Sequence, residues 1–120
     1  MSSQHAPMRH DMSATMRACR DACNACRDAC LLTLAHSIEK GGALAEPQHL
    51  ETLLDCATIC DAAAAFLTRG SARHADVCQA CARICRDCEA SCRRVQDGTT
   101  ISECAEACRV CAEACERMAS

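Results

Sequence analysis

Four segments of this chain repeat one spacing. Between residues 78 and 92 the stretch CQACARICRDCEASC sets Cys78, Cys81, Cys85, Cys88 and Cys92 at steps of three, four, three and four, with mostly polar and charged residues between them. A 3.5-residue period held over two heptads turns all five side chains to one side of an α-helix. The same stride recurs at Cys19, Cys23, Cys26 and Cys30, again at Cys104, Cys108, Cys111 and Cys115, and in shorter form at Cys56 and Cys60. In a helical bundle these positions carry Leu or Ile, because they point into the space between helices. Here the seam is sulfur, and four segments are expected to aim thiols at one shared core.

Turn signals divide the chain into four helices. The first is predicted from near Pro7, a residue suited to a first helical turn, to about Glu39, where Lys40, Gly41 and Gly42 form a C-terminal stop. Its inward face reads Met8, Met12, Met16, Cys19, Cys23, Cys26, Cys30 and Leu34. The second runs from Pro47 to about Thr68 and offers Leu50, Leu53, Leu54, Cys56, Cys60, Ala63 and Leu67 for burial. Ser71 is the expected N-cap of the third, which carries His74 four residues before Cys78, reaches Val95, and closes at Asp97, Gly98 and Thr99. The fourth opens on Thr100, Ile101, Ser102 and Glu103, a capping-box pattern, and ends one stride beyond Cys115 at Met118.

Three short connections make consecutive helices antiparallel, so the expected fold is all-α: an up-down-up-down four-helix bundle with a cysteine-lined core. One domain is expected over residues 1–120, with residues 1–6 as a tail. This topology gathers Met8, Met12, Met16, His74 and Met118 at one end, a mouth lined with soft ligands. Leu34, Ile38, Leu50, Leu53, Val95 and Ile101 fall at the other, an expected hydrocarbon plug. His5 and His10 belong to the N-terminal tail, and His36 and His49 to the plugged end; none of the four is given a role.

Composition sharpens the question of what fills the core. The 120 residues include 15 Cys, a single Phe, and no Trp or Tyr; the abundant Ala favours helix but contributes little apolar burial. The net charge of -3 gives no electrostatic case for nucleic acid or an anionic membrane. No run of 18 apolar residues is present to span a bilayer. The N-terminal residues lack an apolar signal core, so the expected location is a reducing cytoplasm, with export of a processed chain as the alternative. No Ser-His-Asp, paired-carboxylate or phosphate-loop constellation points to an enzyme.

Helical spacing argues for metal over cystine. Residues three or four apart on a helix hold their Cβ atoms about 5–6 Å apart, whereas a disulfide wants roughly 3.5–4.5 Å; disulfides between helices stay open as an alternative. Thiolates select Cu(I), Zn(II) and iron-sulfur clusters. About three or four Zn(II) ions, at four ligands each, would leave roughly seven or more buried negative charges, while a similar number of Cu(I) ions and thiolates is nearly neutral. No cysteine precedes proline as in ferredoxin runs, and a strip of thiols along a helix is a line of sites. Multiple Cu(I) ions are therefore the favoured cargo. A zinc- or cadmium-sequestering protein and a redox-active thiol reservoir are the competing readings.

The Cys-x-x-x-Cys pairs Cys19/Cys23, Cys26/Cys30, Cys56/Cys60, Cys81/Cys85, Cys88/Cys92, Cys104/Cys108 and Cys111/Cys115, set on four helices from Met8 to Met118, resemble those of the bacterial copper storage proteins. The resemblance implies that these pairs ligate Cu(I), that the ion is admitted at an end bearing Met8, Met12, Met16, Met118 and His74, and that the bundles assemble as homotetramers. Copper-requiring apoproteins and copper chaperones are the partners it suggests. The chain departs from a uniform lining at the second helix, where only two cysteines predict a lower metal density.

Overall fold

The computed structural model describes residues 12–95 and 98–119. Four helices form in the predicted order: α1 (Ala14–Lys40), α2 (Pro47–Thr68), α3 (His74–Val95) and α4 (Thr99–Ala119), with a short 3-10 turn over Gly42–Ala45 between the first two. Each helix packs against its sequence neighbours, and α4 returns against α1, so the four close a ring in up-down-up-down order. At 1.5 Å per residue the helices are about 30–40 Å long.

The ends of the helices follow local chemistry. α1 opens later than its predicted start near Pro7: Ser13 holds extended backbone, and its side-chain oxygen accepts the Met16 N–H at 3.1 Å, satisfying one of the donors a first turn leaves unpaired. Met12 therefore precedes the helix, and Met8 lies outside the described residues. Gly41, at φ 75°, ends α1 and donates its N–H to the Ser37 carbonyl at 3.0 Å. That left-handed conformation is one L side chains rarely adopt. Pro47 sits in the first turn of α2 as predicted. Ser71 caps a turn ahead of α3: its hydroxyl accepts the Arg73 N–H, and α3 starts only at His74. The Thr100 pattern lies inside α4, which has already begun at Thr99; the Gly98 carbonyl accepts the Ser102 N–H at 3.2 Å.

Large apolar side chains are few inside. Leu53, Leu67 and Ile101 are fully buried, but most of the interior is Cys and Ala. Ion pairs such as Arg27 with Asp61 at 2.8 Å and Arg86 with Glu116 at 3.0 Å join α1 to α2 and α3 to α4 on the outside. Such exposed pairs set register more than stability.

Two of the expected buried sides need correction. Leu54 is 46% exposed and Ile38 59%, because the burying stride stays at 3.5 residues past the cysteines. On α1 it continues from Cys30 to Thr33 and Ser37, both buried, and leaves Leu34 half-buried beside it. On α2 it runs His49, Leu53, Cys56, Cys60, Ala63, Leu67, all buried. Stride outranks residue type, so polar residues take seam positions that hydrocarbon was expected to hold.

Candidate metal centre

All fifteen cysteines are buried and free of disulfides, with no side chain more than 1% exposed. They form a column of sulfur along the bundle axis. At one end Cys115 lies 3.7 Å from both Cys19 and Cys23, and Cys23 is 3.7 Å from Cys111. In the middle Cys60 touches Cys81, Cys85 and Cys111 at 3.7–3.8 Å, while Cys56 bridges Cys85 and Cys26. Further on, Cys26 meets Cys108 at 3.8 Å, and Cys30 meets Cys88 and Cys104 at 3.9 Å. Cys78 and Cys92 complete the two ends beside Cys19 and Cys115, and beside Cys88 and Cys104.

These separations are those of packed, unbonded thiols, and they lie close to the spacing of two sulfurs on one metal ion. A sulfur-sulfur bond is about 2.05 Å. Two sulfurs bound to one ion at about 2.3 Å stand about 3.8 Å apart in tetrahedral and about 4.0 Å apart in trigonal geometry. Groups of four thiols whose sulfurs all lie within 4.8 Å of one another include Cys23/Cys81/Cys111/Cys115, Cys26/Cys56/Cys60/Cys85 and Cys30/Cys88/Cys104/Cys108. They overlap: Cys26, Cys30 and Cys56 also share a group with Cys108, and Cys60 and Cys85 one with Cys81 and Cys111. Shared sulfurs suit ions that accept bridging ligands. α2 carries only two cysteines, and both sit in overlapping groups.

Proton occupancy follows from crowding. Cys104 and three further thiols around Cys108, together with burial, push that thiol well above the usual range, and Cys115 and its neighbours do the same to Cys111. At the outer end Cys115 acts to lower Cys78, but Cys19 and burial prevail and push it up to about 12. Their neighbours push Cys26, Cys56, Cys81 and Cys104 the other way, but adjacent thiolates repel and water is absent, so without a cation the cluster as a whole keeps most of its protons. A metal ion reverses this by replacing the protons.

Met16 and Met118 are half-buried and pack against the sulfur column, one stride outward from Cys19 and Cys115. His74, also half-buried, is tied by Nδ1 to the Ser71 carbonyl at 2.9 Å. The Sδ of Met12 lies 3.7 Å from an Arg20 guanidinium nitrogen. The structure thus brings Met16, His74 and Met118 to the Cys19/Cys78/Cys115 end, with Met12 ahead of the helix.

The opposite end is not a hydrocarbon plug. Leu44, Leu53 and Ile101 are buried there, but so are Thr33, Ser37, His49 and Ser91. His49, given no role from sequence, is 0% exposed, and its Nδ1 lies 2.7 Å from the Ser91 hydroxyl. Desolvation, with Arg94 nearby, lowers its pKa against the opposing pull of Cys104 and Glu46, so the ring is neutral. Among the described residues, His49 Nε2 and Ser37 Oγ are buried and have no hydrogen-bond partner, an omission that costs about 1–3 kcal/mol for each such atom. The signal that could have found His49 is its distance of one heptad from Cys56.

Comparison with known proteins agrees with this architecture. The family model described as copper storage protein matches residues 6–120. A crystal structure of a Nitrosospira multiformis protein is 42% identical, with a TM-score of 0.83 over 88% of this chain and 94% of that one. A cytosolic copper storage protein from Streptomyces lividans, solved with five coppers, is 32% identical, with a TM-score of 0.75 over 88% of this chain and 92% of its own. The Streptomyces lividans protein Ccsp loaded with 10 copper equivalents is 29% identical, with a TM-score of 0.78 over 97% and 92%. No curated protein matches the chain by sequence.

Proposed function

The chain belongs to the copper storage protein family, and from that premise we propose that its fifteen buried cysteines hold many Cu(I) ions as stored cargo. The observation that carries the reading is the continuous column of free thiols at 3.7–3.9 Å spacing inside a four-helix bundle. Those distances alone would also suit Zn(II). Charge separates the two, since four thiolates around each Zn(II) leave net negative charge buried, and Cu(I) shared between sulfurs does not.

Each ion that binds displaces thiol protons, and the protein does nothing further to it: storage calls for no reaction. Uptake is assigned to the end where Met16, Met118 and His74 are half-exposed beside Cys19, Cys78 and Cys115, thioethers passing the ion to thiolates. Met12 extends that path from the N-terminal side, and Met8, outside the described residues, is proposed to serve with it. The cytosol is the location in keeping with the Streptomyces relative. Self-association into tetramers is in keeping with Leu31, Leu32 and Ile38 of α1 and Leu54 of α2 lying exposed, surfaces that further copies would cover. Copper chaperones and copper-requiring apoproteins are the partners for delivery and withdrawal.

Anaerobic titration with Cu(I) against a strong chromophoric chelator tests the reading. Storage predicts about one ion per thiol or somewhat fewer, whereas a zinc-type protein saturates near one per four. Failure to withdraw copper from the chelator would sink it.

A further inference from the structure

The sulfur column does not simply stop at the end formed by the C-terminus of α1 and the N-terminus of α2. Its last tetrad there is Cys30/Cys88/Cys104/Cys108. Cys92 stands beyond it with Cys88 and Cys104 as its sulfur neighbours. α1 and α2 bring no further sulfur to this position, because their seam residues here are Thr33, Ser37, His49 and Leu53.

His49 is the buried α2 side chain at this end with a nitrogen to offer. It lies one heptad before Cys56, just as Leu53 lies one heptad before Cys60, so it projects from the same face of α2 as the two thiols of that helix. The ring is fully buried, its Nδ1 is engaged by Ser91 Oγ at 2.7 Å, and its Nε2 has no partner. Cys104 lies near enough to interact with it electrostatically. A neutral imidazole held at one nitrogen, with the other free, is the form in which histidine binds metals; the hydrogen bond at Nδ1 sets tautomer and orientation. Imidazole is an accepted donor for copper.

We propose that His49 Nε2 ligates a Cu(I) ion together with Cys92 and Cys104, making the closed end of the column a mixed nitrogen-sulfur site. Binding there releases the protons of the two thiols and none from histidine, whose Nδ1–H stays on Ser91 Oγ. Ser91 is a positioning residue for this site. The proposal rests on the storage reading and adds to it a ligand outside the cysteine set.

Cu(I) is diamagnetic, so the full chain labelled with 15N-histidine can be followed by NMR through anaerobic copper loading. The His49 Nε2 resonance is expected to shift as the ion binds while Nδ1 keeps its proton. His49→Leu is expected to saturate at one Cu(I) equivalent fewer than the wild type. Ser91→Ala is expected to keep that equivalent but hold it more weakly against the chelator. An Nε2 resonance unchanged between the apo and fully loaded protein overturns the proposal, whatever the variants do; it is the result expected if Nε2 and Ser37 Oγ are bridged only by a buried water. Undiminished capacity in a folded His49→Leu variant overturns it equally. A wild-type protein that takes up no Cu(I) overturns the storage reading itself, and this site with it.

Discussion

At one end of the bundle the seam runs out from Cys19, Cys78 and Cys115 to Met16, His74 and Met118, half-buried and edged by solvent. At the other it runs from Cys30, Cys92 and Cys104 to Thr33, Ser37, His49 and Ile101, every one of them buried. The same four helices and the same stride build both. The first end has soft donors within reach of water, suited to exchange. The second keeps a nitrogen donor dry, where an unpartnered polar atom is a standing cost. Folding alone would favour hydrocarbon at His49 and Ser37, so the closed end carries a cost that the open end does not.

The largest effect that would break this comparison is on the column between the ends. Filling even one site at a hundred times its dissociation constant adds about 2.7 kcal/mol. At roughly 4 °C per kcal/mol, Cu(I) loading is expected to raise the melting midpoint by more than about 10 °C under reducing conditions. Equal midpoints for apo and loaded protein would show that the sulfur column binds nothing tightly.

Acid should empty the column next. Cys108, Cys111 and Cys78 all have raised pKa values, the last to about 12, so each is protonated at neutral pH and must lose its proton to bind. Affinity therefore falls as pH falls, by about tenfold per displaced proton for each pH unit. Proton release on loading, followed by pH-stat, checks the sign: uptake without acidification would contradict it.

Central and terminal cysteines should differ in capacity. Cys108 belongs to the groups with Cys26, Cys30 and Cys56 and with Cys30, Cys88 and Cys104, so Cys108→Ala is expected to lose two or more copper equivalents. Cys78→Ala, at the rim, should lose at most one. Equal losses would mean that the sulfurs act as independent pairs.

At the closed end, His49→Leu with Ser91→Ala removes an unpartnered nitrogen and its hydrogen-bonded hydroxyl together. The apo variant is expected to be more stable than wild type by about 1 kcal/mol, read from chemical melts. His49 has a lowered pKa in the fold, so its protonation favours unfolding; wild-type apo stability should decline as pH drops below the ordinary histidine value of 6.5, and the double variant should lose that part of the slope. A destabilised variant would mean that the polar pair is structural cement.

The smallest change belongs to the open end. Met16→Leu with Met118→Leu keeps the packing volume nearly constant, so capacity should hold while the rate of copper uptake falls several-fold. Stopped-flow loading at an unaltered rate would place uptake elsewhere.

Much of this was legible from spacing. The 3.5-residue stride of Cys78 to Cys92 and its three echoes determined helix, bundle and sulfur lining, because a heptad period leaves one face for burial whatever the residues are. Pro47 marked the start of α2, and Gly41 the end of α1. Residue type and stride part company at the closed end: Thr33, Ser37 and His49 take the buried positions, while Ile38 and Leu54 lie exposed and Leu34 and Leu50 are half-buried.

By itself, then, the sequence determined which side of each helix faces inward, and thereby the chemistry of the cargo, since that information is local and periodic. Only the packed tertiary structure decided how sulfurs from different helices pair at 3.7–3.9 Å and that Nε2 of His49 is left without a partner. Distances between helices and the exclusion of water come from four chains of side chains meeting at once, and no single helix carries them in its own spacing.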